Sequence, residues 1–118
     1  MTQENKELLL KDLCGRLPYG VKIQVNDRVE ILEGIGILDN VAEYGSFLSC
    51  DIEEIKPYLF PMSSMTEEQE MECQQIKHSY YYDDDSFVLF DWYNKNHIDY
   101  RGLISMGLSN DATGLNIY

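Results

Sequence analysis

A chain of 118 residues has room for one domain with a single hydrophobic core, and a hydrophobic fraction of 44 % is too high for general disorder. The formal net charge of −12 repels phosphates and anionic membranes, so no direct nucleic-acid or membrane binding is expected. With no apolar run long enough to span a bilayer and three cysteines that form no C-x-x-C pair, the sequence predicts a soluble, cytoplasmic protein. Its cysteines are expected to be buried free thiols.

The charge is unevenly distributed along the chain. Residues 1–28 carry a net charge of +1, whereas everything from Val29 onward carries −13. Between Val29 and Ile55 there are seven acids and no base. Such a region can simply keep a small protein soluble, or it can attract a basic surface of another protein.

The first half of the chain predicts a helix followed by a small antiparallel sheet. Thr2 or Asn5 can cap a helix over residues 1–17, whose apolar residues recur on one face. Residues 20–55 then alternate at period two and predict three or four strands, arranged as a meander or a partly open barrel. A hairpin turn is expected at residues 26–27, a third strand at residues 46–52, and a bulge or bend near Gly34 and Gly36.

The second half predicts helices. Residues 56–65 contain two prolines and are expected to form a connector, after which Thr66 and Gln69 match a capping box for a polar helix. Asp85 or Ser86 can cap a more apolar helix over residues 87–93, and Asp99 can cap a last short one. Helices are thus expected over residues 66–108, followed by a poorly ordered tail at 109–118.

These elements predict a single α+β domain spanning residues 1–118. The first helix and the helix at 87–93 are the two that are apolar enough to cover one face of the sheet. The residues expected in the core are Leu13, Ile23, Val25, Ile31, Ile37, Leu48, Phe90 and Leu103.

No motif for catalysis, for a cofactor or for a metal ion is present. The phosphate-binding glycine loops, the G-x-S-x-G elbow and H-E-x-x-H are all missing, so the chain is not expected to be an enzyme. His97 and Asp99 are better explained as a helix junction and a cap than as an acid–base pair. The run Asp83–Asp84–Asp85 can bind Ca²⁺, but it lacks the spacing of an EF-hand and fits a solvated loop that caps the next helix.

Tyrosines and acids are concentrated at residues 80–85. In an extended segment alternate tyrosines face opposite sides, so at least one of the three at 80–82 is expected to be exposed unless something covers it. Tyrosine and tryptophan are frequent at binding hot spots. The predicted partner-binding residues are Tyr81, Tyr82, Asp83, Asp84 and, where its ring is exposed, Trp92. The alternative is a segment that packs two of these rings into the core.

Three phrases carry a resemblance: LLLKDLCGRLPYGVK, DIEEIKPYLFPMSSMT and DWYNKNHIDYRGLISMGL. They resemble a group of small uncharacterised proteins carried by phages, prophages and other mobile elements of gut Bacteroidales. The resemblance covers the N-terminal region, the middle connector and the C-terminal helices. It implies an intracellular bacterial protein that serves a mobile element, and it assigns no functional residue.

Two kinds of function fit these observations. One is a protein-interaction module, with which a mobile element or phage modulates a host or phage protein. The alternative is an acidic mimic of nucleic acid that blocks a DNA- or RNA-binding protein. Mimicry predicts binding that weakens steeply with salt, whereas an aromatic patch binds almost independently of salt. The sequence leaves homo-oligomerisation open.

Overall fold

The computed structural model describes residues 1–36, 38–79 and 87–118. Its first element, α1 (Gln3–Arg16), begins at the predicted cap: the Thr2 hydroxyl accepts a hydrogen bond from the Asn5 amide at 3.1 Å. Leu9 and Leu13 lie on the inner face of α1 and are fully buried. The apolar stripe of the sequence therefore gives both the helix and the face that it turns to the sheet.

The sheet is mixed, and the described residues contribute seven strands to it. Its spatial order is β4-β3-β2-β1-β5-β6, and β7 pairs with β5 beside that path. The strands are β1 (Lys22–Val25), β2 (Arg28–Gly36), β3 (Val41–Tyr44), β4 (Leu48–Asp51), β5 (Ile55–Pro61), β6 (Ile98–Asp99) and β7 (Asn110–Asp111). The α+β class is confirmed. The expectation of three or four antiparallel strands is wrong, because β6 and β7 add to β5 in parallel.

The first hairpin follows the sequence pattern closely. β1 and β2 are joined at Val25 and Arg28 by the two residues Asn26 and Asp27, and Asn26 adopts the left-handed backbone, with φ 55°, that such tight turns require. Ile23 and Val25 of β1 face the core and are buried as predicted.

The expectation that Ile31 is buried is wrong: its side chain is 51 % exposed. Ile31 lies opposite Lys22 on the outer face of the sheet, whereas Leu32, whose amide donates to the carbonyl of Val21, faces the core. The other predicted core residue of this strand region, Ile37, lies outside the described residues. Up to Leu32 the core parity of β2 is therefore the opposite of the one that its isoleucines suggest, whereas Ile35, further along the strand, packs against the core.

A β-bulge explains the changed parity. The pairing of β2 with β3 shifts between Leu32 and Gly34, so that Glu33 is an extra residue in the ladder. The bulge expected near Gly34 is therefore confirmed. Because of it, the alternation of inward and outward side chains does not continue unchanged from one end of β2 to the other. As a consequence Glu33 and Glu43 both lie on the outer face, and the Glu43 carboxylate occupies the space that a Cβ at residue 34 would need.

The edge of the sheet is formed by β4. Its position agrees with the strand predicted at residues 46–52, whereas β3, which pairs with it, was not predicted as a separate strand. Leu48, expected in the core, is 47 % exposed because it lies at the end of this edge strand, beside the turn at Phe47. Cys50, one step further into the strand, is half-buried against the core.

The segment predicted to be a connector is instead a central strand. Residues Ile55–Pro61 form β5, with β1 on one side, and both Ile55 and Leu59 are buried. Pro57 is tolerated because it is the last of three residue pairs in the β1–β5 ladder, opposite Ile23. Prolines normally mark loops, so the local sequence argued against this strand.

The helix α2 (Glu67–Ser79) begins at the predicted capping box. The Thr66 amide donates to Oε1 of Gln69 at 3.0 Å, and the Gln69 amide donates back to the Thr66 hydroxyl at 3.1 Å. Cys73 is the buried residue of this helix, as its mostly polar sequence suggests.

The helix α3 (Phe87–Lys95) packs on α2 and β6 through a small second core around Cys73, Tyr93 and Ile98. It does not cover the sheet face together with α1, and Phe90, expected to be buried, is 41 % exposed. The helix places Tyr93 inward, and Phe90, three residues earlier, sits at the border with solvent.

Turns follow α3 where a last short helix was predicted. The Asp99 carboxylate caps them by accepting hydrogen bonds from the amides of Leu103 and Ile104, both at 2.9 Å. Leu103 is fully buried, as predicted. Further on, β7 pairs with β5 at Tyr58, so the tail beyond residue 108 is attached to the sheet.

The ring of Tyr118 packs into the sheet next to β1. Its hydroxyl accepts a hydrogen bond from the Lys22 amide and donates one to the Tyr58 carbonyl, both at 2.8 Å. The β1–β5 register would otherwise place Lys22 directly opposite Tyr58. The hydroxyl therefore bridges two backbone groups at the point where the strands separate. None of the helices in the described part of the chain is both long and apolar enough to cross a membrane.

Candidate functional site

Four of the five predicted partner-binding residues, Tyr81, Tyr82, Asp83 and Asp84, lie outside the described residues. The fifth, Trp92, is on α3 and is half-buried. Its indole Nε1 donates to Oε2 of Glu72 on α2 at 3.1 Å, and its ring meets Tyr93 edge-on at 5.6 Å. Trp92 thus ties α3 to α2 and presents only part of its ring to a partner.

The exposed side of α3 carries three apolar side chains beside Asp91 and Lys95, and one of the three, Phe90, was expected in the core. Phe87 is 75 % exposed, Val88 38 % and Phe90 41 %. We call these three residues the α3 apolar surface. The helix begins directly after the run of tyrosines and acids, so this surface and the predicted partner-binding residues are neighbours in the chain.

Stacked aromatic rings hold one side of the α3 apolar surface in place. Phe90 stacks on Tyr100 with ring centroids 5.2 Å apart, and Tyr100 stacks in turn on Tyr93 at 5.3 Å. The guanidinium groups of Arg16 and Arg101 lie 5.4 and 5.0 Å from the centroid of the Tyr100 ring. Phe90 is therefore presented on a fixed platform.

A buried ionic network supports that platform from α1. The Asp12 carboxylate accepts from Nε of Arg16 at 2.7 Å and from Nε of Arg101 at 3.1 Å, while Nη2 of Arg16 donates to the Ile98 carbonyl at 2.7 Å. Buried charges are tolerated when they are paired in this way. Sequence reasoning missed the network, although a carboxylate and an arginine four residues apart on an apolar helix face were a signal for it.

The helix α2, which packs against α3, is acidic at its start and basic at its end. Its first turn carries Glu67, Glu68 and Glu70, its last turn carries Lys77 and His78, and Glu72 holds Trp92. An open cleft of about 730 Å³ lies along α2 and is lined by Glu67, Glu70 and Lys77 together with apolar side chains. A partner that covers both helices would thus meet apolar side chains beside charges of both signs.

A second acidic region lies on the sheet. The seven acids between Val29 and Ile55 belong to β2, β3, β4 and their connections, and the bulge turns Glu33 and Glu43 to one face. In the described residues no group of three or more histidine, cysteine, aspartate or glutamate side chains is arranged to hold a metal ion. The run at residues 83–85 is not among them.

His97 and Asp99 have separate environments. The Asp99 carboxylate is engaged by two amides, while the His97 ring stacks on Tyr118 with centroids 3.8 Å apart and leaves its Nδ1 without a hydrogen-bond partner. Burial, aided by the positive charges of Arg16 and Lys22, lowers the pKa of His97 to about 4. A neutral, stacked imidazole has a structural part here.

The cysteines are free thiols with different exposures. Cys73 is buried as expected, Cys50 is half-buried, and the expectation fails for Cys14, which is exposed on α1. Partial burial raises the pKa of the Cys14 thiol, and burial together with Glu54 and Asp51 raises that of Cys50. Neither environment favours a reactive thiolate.

Comparison with known proteins adds no relative to this description: no family model, curated protein or solved structure matches the chain.

Proposed function

We propose that this chain is a small, acidic, cytoplasmic protein-interaction module that binds a protein partner through the α3 apolar surface and the adjoining residues Tyr81, Tyr82, Asp83 and Asp84. The observation that carries the proposal is the exposure of Phe87, Val88 and Phe90 on a helix whose opposite side is firmly anchored. Exposed apolar side chains that lie together mark interaction sites in soluble proteins.

Phe87 and Phe90 are suited to anchor a protein partner. Phe87 and Phe90 offer large apolar area with few rotatable bonds, and the stack on Tyr100 limits what Phe90 loses on binding. The acids of α2 and those at positions 83–84 of the sequence would steer a partner with a basic rim, which raises the association rate more than the affinity.

The biological setting rests on the resemblance to proteins of Bacteroidales phages and mobile elements. In that setting the partner is a host or phage protein whose activity the module modulates. The supporting argument from the chain is its composition: it has the charge and the aromatic residues of a binding protein and no recognisable catalytic motif.

A second candidate function is mimicry of nucleic acid. It is favoured by one specific observation, the seven acids without a base between Val29 and Ile55, several of which the sheet carries on one outer face. A mimic would occupy the basic groove of a DNA- or RNA-binding protein, and its affinity would fall steeply with salt.

Affinity capture from the native host tests the proposal. The wild-type chain, Phe87→Ala and the double variant Tyr81→Ala/Tyr82→Ala are compared with Ile31→Ala, a matched control that removes an exposed apolar side chain from the sheet. We expect both α3-side variants to lose the partner at an unchanged melting temperature, while Ile31→Ala retains it. Wild-type retention by both α3-side variants would refute the proposal, and loss of all retention by 0.5 M salt would favour mimicry.

A further inference from the structure

In the part of the chain that the structure describes, the outer edge of β4 is an open hydrogen-bonding edge. The amide of Ile52 donates to the Asn40 carbonyl, which marks that pair as hydrogen-bonded across the β3–β4 ladder. Because hydrogen-bonded and non-hydrogen-bonded pairs alternate in an antiparallel ladder, Cys50 also bonds to β3. The backbone N–H and C=O groups of Ser49 and Asp51 must then point away from β3, toward solvent.

This edge lacks most of the features that usually block one. β4 (Leu48–Asp51) contains no lysine and no proline, and the bulge of this part of the sheet lies two strands away in β2. Over residues 1–36, 38–79 and 87–118, β3 is the strand that pairs with β4, and its other side has no strand partner. An open edge is a template for pairing with another chain.

The side chains at this edge define what would pair with it. Phe47, in the turn before β4, is fully exposed at 104 % and has a positive φ of 90°, and Leu48 is 47 % exposed. An open cleft of about 570 Å³ is lined by apolar, acidic and small polar side chains: Phe47, Leu48, Glu33, Glu43, Ser46 and Ser49. Asp51 is opposite Val41 and so lies on the same outer face as Glu43.

Charge identifies the occupant. A second copy of this chain would add its own Asp51 and Glu43 to a face that already carries these acids, and like charges gathered on one face are destabilising. An extended segment with lysine or arginine on one parity would instead place those side chains beside Asp51 and Ser49, from where a long basic side chain can reach over the small Ser49 toward Glu43 on β3. Apolar residues on the other parity would then extend the side on which Leu48 and Cys50 lie.

We infer that the free edge of β4 binds an extended segment of a partner protein by strand addition, and that this segment alternates basic and apolar residues. The backbone groups of Ser49 and Asp51 supply the affinity, while the carboxylates of Asp51 and Glu43 select the basic side chains. This interface is separate from the α3 apolar surface.

Two synthetic octapeptides test the inference, one with alternating lysine and valine and one with alternating glutamate and valine. Added to the isotope-labelled chain, the lysine peptide should slow hydrogen exchange at the amides of Ser49 and Asp51 and leave the already bonded amide of Cys50 unchanged. The glutamate peptide should have no effect at equal concentration.

Variants separate the parts of the site. Asp51→Asn and Glu43→Gln should each weaken binding of the lysine peptide by up to about fivefold, as expected for an exposed ion pair. Ser49→Pro removes one outward N–H and should abolish protection, with its melting temperature recorded as the check on folding. Phe87→Ala on α3 should bind the peptide like the wild type, so this test does not depend on the partner proposed for α3.

Three outcomes would overturn the inference: equal protection by both peptides, binding of the lysine peptide without protection at Ser49 and Asp51, or self-association of the chain through β4 that excludes the peptide. Unchanged affinity in both carboxylate variants would also contradict it, because charge would then play no part in selecting the segment.

Discussion

His97 shows how one side chain can combine several constraints. Its backbone is left-handed, with φ 59°, its carbonyl accepts a hydrogen bond from the Phe60 amide at 2.8 Å, and its ring lies under Tyr118. Burial, and then the positive charges of Arg16 and Lys22, oppose its protonation in the folded state and lower its pKa. Protonation of the His97 imidazole at acidic pH should therefore lower the stability of the fold.

The pH dependence of stability follows from the lowered pKa. An unfolded chain takes up the proton near the ordinary histidine pKa of about 6.5, whereas the folded chain does so only near 4. The contribution of His97 is thus intact above about pH 6.5 and is lost as the pH falls to 4. We expect the wild type to lose more thermal stability between pH 7 and 4.5 than His97→Asn does, because asparagine tolerates the left-handed backbone without titrating.

The control for this measurement is His78→Asn, which removes the exposed histidine of α2. Its melting temperature should follow the wild-type curve across the same pH range. Coinciding curves for the wild type and His97→Asn would show that His97 is not the group responsible.

Among the elements, the sequence predicted those features that depend on residues close together in the chain. The hairpin at Asn26-Asp27 and the capping box at Thr66 and Gln69 formed as expected, because each depends on neighbours within a few residues. The central strand β5 was missed because Pro57 is tolerated only through its place at the end of a ladder, which its neighbours in the sequence do not reveal. The side of β2 that faces the core was mispredicted for a related reason, since the bulge at Glu33 inverts the alternation of inward and outward side chains.

Because Leu13 on α1 and Phe90 on α3 differ in burial, replacing each of them with alanine should lower stability by different amounts. Leu13→Ala in α1 should lower the free energy of unfolding by about 2–5 kcal/mol, because Leu13 is fully buried in the main core. Phe90→Ala should cost less, about 0.5–1.5 kcal/mol for its stack on Tyr100 plus the apolar area that it buries. Urea denaturation gives both values, and Lys11→Ala on the exposed side of α1 is the control. Equal costs at Leu13 and Phe90 would contradict the exposures described here.

For the molecule as a whole, the acidity follows from the composition. The bases of the N-terminal region and the acids that follow them lie on different elements of the fold. The helix α1 and the strand β1 carry most of the N-terminal bases, while β2 to β4 carry acids and, after Arg28 at the start of β2, no base. Of the predicted partner-binding residues, Tyr81, Tyr82, Asp83 and Asp84 lie outside the described residues, and Phe87 and Phe90 were not among those predicted. The outward direction of Phe87 and Phe90 depends on which side of α3 meets α2 and β6, which the local sequence does not reveal.

Self-repulsion in so acidic a chain predicts a salt effect on its stability. Exposed like charges destabilise the compact state, and 0.1 M salt screens them over about 10 Å. The melting temperature should therefore rise between 10 and 150 mM NaCl. The rise should be smaller in the triple variant Asp39→Asn/Glu43→Gln/Glu54→Gln, which removes three exposed acids. A melting temperature that falls with salt would mean that attractive pairs such as Lys6–Glu53 dominate instead.

The hydroxyl of Tyr118 between Lys22 and Tyr58 has a consequence for biosynthesis. The two bridged backbone groups are 96 and 60 residues away from Tyr118 along the chain. At about 5–20 residues per second, a ribosome needs roughly 5–20 s to travel from Lys22 to Tyr118. During that interval the local hairpins β1–β2 and β3–β4 can already close, whereas the Tyr118 bridge between Lys22 and Tyr58 and the pairing of β7 with β5 cannot yet form. A nascent chain would therefore display its acidic hairpins before its sheet is complete.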